Sequence, residues 1–193
     1  MQAAGLKDLT VDQLIAMKIQ GVTPGYVKEI HDLGLQPTVE EFVGMRVQGV
    51  TPEYIREMRG VWPDLGVHQL IGMKVQGASP QYVREFHDLG LKPGPDEIVG
   101  MKVQGVTPDY VRELRATGLA PNVGELIGMK VQGVTPEYVK SMQAAGFKDL
   151  ECDELIGARV QGITPEFIEK ARKHGFQNLT LDKLMALKHA DIL

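Results

Sequence analysis

The sequence predicts an all-α solenoid of tandem two-helix hairpins with a 28–29 residue period, and three observations carry that prediction. A Gln-Gly pair recurs as Gln20-Gly21, Gln48-Gly49, Gln76-Gly77, Gln104-Gly105, Gln132-Gly133 and Gln161-Gly162, at spacings of 28, 28, 28, 28 and 29 residues. A period in this range, held this closely, marks a stacked repeat array. Between the pairs, apolar residues fall at offsets of one, three and four, as on one face of a helix, without the alternation a strand needs. Around each pair the chain spells a helix end, a tight turn and a helix start.

The turn is clearest at residues 45–58. Gly49 closes a short helical run where a residue without Cβ takes the left-handed conformation cheaply. Thr51 stands as N-cap and Pro52 as the first helical residue, with Val50 and Ile55 spaced as a hydrophobic staple. Glu53 suits the positive end of the helix dipole and Arg59 the negative end.

In chain order, the opening residues 1–9 repeat 142–150 almost letter for letter, so the chain is expected to open within a half unit. The first full unit starts on the capping box Thr10 to Gln13, with Leu14, Ile15, Met17 and Ile19 on its first helix. Its second helix, from Pro24, carries Tyr26, Val27, Ile30 and Leu33 before Gly34. The second unit copies this from Thr38 to Glu41. The helix before the third unit is expected to end early at Gly60, with Trp62 in the place of the usual terminating glycine. The fourth and fifth units enter with Gly94 and Asn122 in the cap position. The sixth has a longer link through residues 147–151, and Leu184, Met185 and Leu187 belong to a final half unit. The expectation is one repeat domain over 1–193, six full hairpins with a half unit at each end. Helices of about ten residues barely form alone in water, so stacking must stabilise them.

A glycine recurs inside the first helices at 44, 72, 100, 128 and 157. It costs about 1 kcal/mol against alanine. Either another backbone passes close by, or these helices are weak and held by packing. The six turn glutamines are expected to tie down turn carbonyls and amides with their side chains.

The composition excludes several classes of function. Lys+Arg 21 against Asp+Glu 25 gives a formal charge of -4, which argues against generic attraction to nucleic acid or anionic lipid. Cys152 is the single cysteine, so neither an intrachain disulfide nor a cysteine zinc cluster can form. No 18-residue apolar run occurs. There is no His-Glu-x-x-His, Gly-x-Ser-x-Gly, phosphate-binding loop or dinucleotide fingerprint, and the five histidines are dispersed. Acidic pairs such as Glu40-Glu41 sit in first turns, where capping explains them. The turn is similar to a helix-hairpin-helix, but Pro52 removes an amide and Glu53 would oppose a phosphate. No catalytic residue, cofactor or metal is therefore expected, and no nucleic acid.

Three rows recur at one position per unit. Tyr26, Tyr54, Tyr82, Tyr110 and Tyr138, ending in Phe167, are expected to be mainly core, with hydroxyls near the rim. Lys18, Arg46, Lys74, Lys102, Lys130 and Arg159 form a basic row. Lys28, Arg56, Arg84, Arg112 and Lys140 form another, with neighbouring glutamates placed to neutralise it. The candidate binding face is Arg46, Lys74, Lys102 and Lys130, with Trp62 as a second candidate, for which plugging a seam between units is the favoured role.

Leu-Ile-Gly-Met-Lys-Val-Gln-Gly-Val-Thr-Pro-Glu-Tyr-Val-Lys at 126–140, with Gly-Phe-Lys-Asp-Leu at 146–150, resembles the helical repeats at the C-terminal side of bacterial membrane metallopeptidases of the beta-lactam-sensor type. The resemblance covers essentially the whole chain, while that family's catalytic motif and membrane helices do not occur in it. What it implies is an accessory or sensor-like segment, with an extracytoplasmic setting by resemblance only. The expected function is a non-catalytic scaffold or a protein- or peptide-binding module, with glycan or other acidic-polymer binding through the basic row as the alternative.

Overall fold

The computed structural model describes Met1 and residues 4–192. Gln2 and Ala3, which belong to the expected first half unit, and Leu193, in the last, lie outside the described residues. Thirteen helices follow one another among the described residues: α1 Val11–Ile19, α2 Pro24–Asp32, α3 Val39–Val47, α4 Pro52–Val61, α5 Val67–Val75, α6 Pro80–Asp88, α7 Pro95–Val103, α8 Pro108–Arg115, α9 Val123–Val131, α10 Pro136–Ala144, α11 Cys152–Val160, α12 Pro165–Lys173 and α13 Leu181–His189. They form the predicted all-α solenoid of two-helix hairpins, α1–α2 through α11–α12, followed by α13.

The chain divides into two compact units, Met1–Val99 and Gly100–Leu193. In the first, α1, α3 and α5 pack in sequence as one layer, and α2, α4 and α6 as another. The same rule holds in the second, where α9 packs on α11 and α8 on α10. Within each unit, like helix lies on like helix.

Each first helix ends as the Gln-Gly pairs predict. At the first turn Val22 N–H donates to Met17 C=O (2.8 Å) and Gly21 N–H to Lys18 C=O (3.2 Å), with Gly21 at φ +69°. This pair of bonds is the Schellman arrangement, which satisfies orphan carbonyls and needs a left-handed residue between them. Val22 and Met17, the apolar pair of that motif, are both buried. The same two bonds recur at Gly49, Gly77, Gly105, Gly133 and Gly162. Second helices start on Thr or Ser caps, whose hydroxyls accept from the third helical amide: Tyr26 N–H to Thr23 (3.2 Å), Tyr110 N–H to Thr107 (3.1 Å).

Three local expectations are corrected. The turn glutamines cap with their backbone amides, as Gln48 N–H does to Gly44 C=O (3.0 Å), and Gln20, Gln48, Gln76, Gln104 and Gln132 are exposed. The helix glycines do not face a second backbone. A Cβ on Gly44, Gly100, Gly128 or Gly157 would meet a side-chain tip of the following first helix, Ile71, Ile127, Ile156 or Met185, at 3.3–3.8 Å. Nor does α4 end at Gly60. It runs to Val61, because Trp62 N–H still bonds Met58 C=O (3.0 Å), and Pro63 then stops it.

Candidate functional site

The tyrosine row is core, as expected, and it links one hairpin to the next. Tyr26, Tyr54, Tyr110 and Tyr138 are 4–7% exposed. Each hydroxyl donates to a backbone carbonyl in the next Gln-Gly turn: Tyr26 to Val50 (2.7 Å), Tyr54 to Ala78 (3.1 Å), Tyr110 to Val134 (2.7 Å) and Tyr138 to Ile163 (2.8 Å). The accepting residue stands just before the Thr or Ser cap, so one phenol pins the entrance to the next second helix. Burial pushes these four phenols up to about 12, with Arg46 working against it at Tyr26 and Arg159 at Tyr138. Burial raises Tyr82 further.

The basic row lies on top of this ladder. Arg46 stands 5.0 Å from the centre of the Tyr26 ring, Lys74 4.8 Å from Tyr54, Lys130 4.4 Å from Tyr110, Arg159 5.0 Å from Tyr138 and Lys188 4.7 Å from Phe167. A cation over a ring face is attracted by the ring quadrupole, by about 0.5–1 kcal/mol where solvent reaches it. Arg46 Nε also donates to Gly21 C=O at 3.0 Å. The stems of Lys74, Lys130 and Lys188 lie over Gly49, Gly105 and Gly162, within 3.6–3.9 Å of where a Cβ would stand. Arg46, Lys74 and Lys130 of the candidate face therefore have structural work in the seam. Arg46 is nonetheless exposed, Lys74 and Lys130 are half-buried, and Lys102 is exposed at the equivalent position of α7.

A second ladder was not evident in the sequence. His31 Nδ1–H donates to Ala4 C=O (3.0 Å), Arg59 Nη1 to Leu33 C=O (2.6 Å), Gln143 Nε2 to Thr117 C=O (2.8 Å) and Arg172 Nη2 to Ala145 C=O (2.6 Å). These donors occupy one position of the second helix, and their acceptors lie at the chain reversal of the preceding unit. The signal was the position itself, occupied in every case by a long or aromatic donor. At the irregular link the carbonyl of Trp62 is taken by Leu65 N–H (3.2 Å), and Arg59 makes an additional bond to Pro63 C=O (2.8 Å). Trp62 itself is half-buried in the extended C-cap conformation.

The other basic row is largely paired. Arg56 bridges Glu53 (3.1 Å) and Glu29 (3.6 Å), Arg84 meets Glu57, Arg112 meets Asp109 and Lys28 meets Asp32. All are exposed pairs, worth little individually. Cys152 is buried, and burial raises its thiol to about 11, which keeps it protonated and unreactive. Among the described residues no group of three His, Cys, Asp or Glu side chains is arranged to hold a metal ion. No helix there is long and apolar enough to cross a membrane.

One further row is solvent-facing. Ile19, Val47 and Val75 in the first unit, and Val103, Val131 and Val160 in the second, are 52–72% exposed. Each directly follows a residue of the basic row, so the first helix of each of the six hairpins closes on a cation and an exposed aliphatic side by side. Helical offsets group Ile19 with Leu14, Ile15 and Met17, and of these only Met17 is buried. The Schellman turn decides this, because it directs Met17 and Met45 inward and leaves the last helical residue outside.

The fold and these ladders define an α-helical repeat protein whose side chains join successive hairpins. No protein-family model matches the chain, and no curated protein matches it.

Proposed function

We propose that the protein is a non-catalytic repeat scaffold that binds a protein or peptide along the strip that these paired residues form within each unit. The observation that supports this is the repetition, within each unit, of one pair at the ends of the first helices, Arg46-Val47 and Lys74-Val75 in the first and Lys102-Val103, Lys130-Val131 and Arg159-Val160 in the second. Exposed aliphatics in register, rather than scattered singly, mark a contact surface. Many equivalent shallow contacts suit an extended partner, whereas catalysis requires unlike groups around one reacting atom. An acidic polymer would use the cations and leave the valines without a role, so a polypeptide with acidic and apolar groups is the better fit. On the resemblance to beta-lactam-sensor repeats alone, such a scaffold would be an accessory or sensor-like segment of a bacterial envelope protein.

The test is an array of peptides, proteins, envelope glycans and nucleic acids, probed with the parent chain and two variants. One carries Val47→Glu, Val75→Glu and Val131→Glu. The other carries Arg46→Gln, Lys74→Gln, Lys102→Gln and Lys130→Gln. The expected result is polypeptide ligands weakened by both changes. Glycan or nucleic-acid ligands that respond only to the loss of cations would overturn the reading.

A further inference from the structure

Resting on that reading, we infer that the partner's bound element is an amphipathic α-helix, laid across the first helices with acidic residues on one flank. Within the first unit α1, α3 and α5 pack side by side, and each closes on an exposed aliphatic, Ile19, Val47 and Val75, with Val11, Leu14 and Ile15 of α1 exposed as well. Packed helices lie about 8–10 Å apart. A partner crossing them must therefore offer an apolar group at about that interval. Seven residues of helix advance about 10.5 Å, which matches. A strand offers same-face groups at about 6.8 Å or twice that, which does not. A polyproline helix repeats at about 9.3 Å, but its receptors are aromatic-lined grooves, and the exposed side chains of this strip are aliphatic.

The surface between the exposed residues is shaped for such a partner. Val43 and Ile71, one turn before Val47 and Val75, are half-buried, and between each pair stands the glycine, Gly44 or Gly72. No heavy atom lies within 4 Å of a Cβ built on Gly72, so α5 carries an open notch there. An amphipathic helix fills notches of this kind with apolar residues between its heptad positions.

The strip's two edges are oppositely charged. Along the C-terminal ends of α1, α3 and α5 run Lys18, Arg46 and Lys74. Asp12 and Glu40, both exposed, stand at the N-terminal ends of α1 and α3. The second unit repeats the polarity, with Lys130, Arg159 and Lys188 against Asp153 and Asp182. Helix dipoles favour this arrangement, and it gives the bound helix a preferred orientation, with its acidic flank over the cations.

The experiment is display selection on the full-length chain from three peptide libraries: helix-biased 21-residue peptides, proline-rich peptides and unstructured linear peptides. The expected winners come from the helical library, with apolar residues at three-, four- and seven-residue spacing and Asp or Glu on one flank. They gain helical circular dichroism on binding. Combined Val47→Glu and Val75→Glu should weaken them at least about tenfold while the urea midpoint stays put. Winners drawn only from the proline-rich or linear libraries would overturn the helical partner and leave the scaffold reading standing. Winners unaffected by the two glutamates, or displaced fully by polyglutamate, would also overturn it. No enrichment from any library would remove the peptide-binding reading as well.

Discussion

Two rows recur once per hairpin with nearly invariant chemistry, and they behave in opposite ways. The tyrosines are 4–7% exposed and each bonds the turn of the next hairpin. The aliphatics at the ends of the first helices are more than half exposed. The basic residues lie between these rows, stacked on a ring on one side and open to water on the other. Repetition therefore does not by itself mark a ligand surface. What separates the rows is whether a neighbouring hairpin uses the side chain.

Four changes sharpen this contrast, from the largest expected effect to the smallest. The largest is the alkaline response. Tyr26, Tyr54, Tyr110 and Tyr138 are held up at about 12 by burial, and the unfolded phenol titrates at about 10. The unfolded state thus loses its protons first. Stability from these groups is fully present below pH 10 and is lost as pH rises toward 12. Thermal melts across that window should show a steep fall, and a flat melting temperature would remove the buried-phenol account. Next, Tyr54→Ala deletes a buried ring together with the support for Lys74, and should cost about 3–5 kcal/mol in urea unfolding. Third, Thr107→Ala removes the hydroxyl that accepts from Tyr110 N–H and should cost about 1 kcal/mol. An unchanged midpoint and slope would count against the cap. Last, Val131→Glu lies on an exposed helix end and should move stability by no more than about 0.5 kcal/mol. A large loss there would mean the outer row is packed.

Much of the fold was legible because its signals are local. Thr-Pro, Gln-Gly and apolar residues at helical offsets each act within a single turn, so Thr51, Gly49 and Val50 could be read directly. The bonds between hairpins were not legible, since they join residues 24 to 27 positions apart whose adjacency depends on stacking. His31, Arg59, Gln143 and Arg172 share a task through different chemistries, which hides it from a search for repeated letters. The basic row was legible as a row, but its stacking on the tyrosines was not, because Arg46 and Tyr26 meet only when one hairpin lies on the next. The exposure of the valines was not legible for a related reason. Helical spacing places Val47 near the apolar face, and only the Schellman turn decides that Met45 takes the inside.

The central claim is that a tyrosine in one hairpin holds the turn of the next. The most direct test is amide hydrogen exchange on Tyr110→Phe, which keeps the ring beneath Lys130 and removes only the hydroxyl donated to Val134. The predicted result is lost protection at Gly133, Val134 and the start of α10, 23 or more residues from the substitution, with α8 itself unchanged. Protection at residues 133–139 equal to that of the parent would contradict the claim.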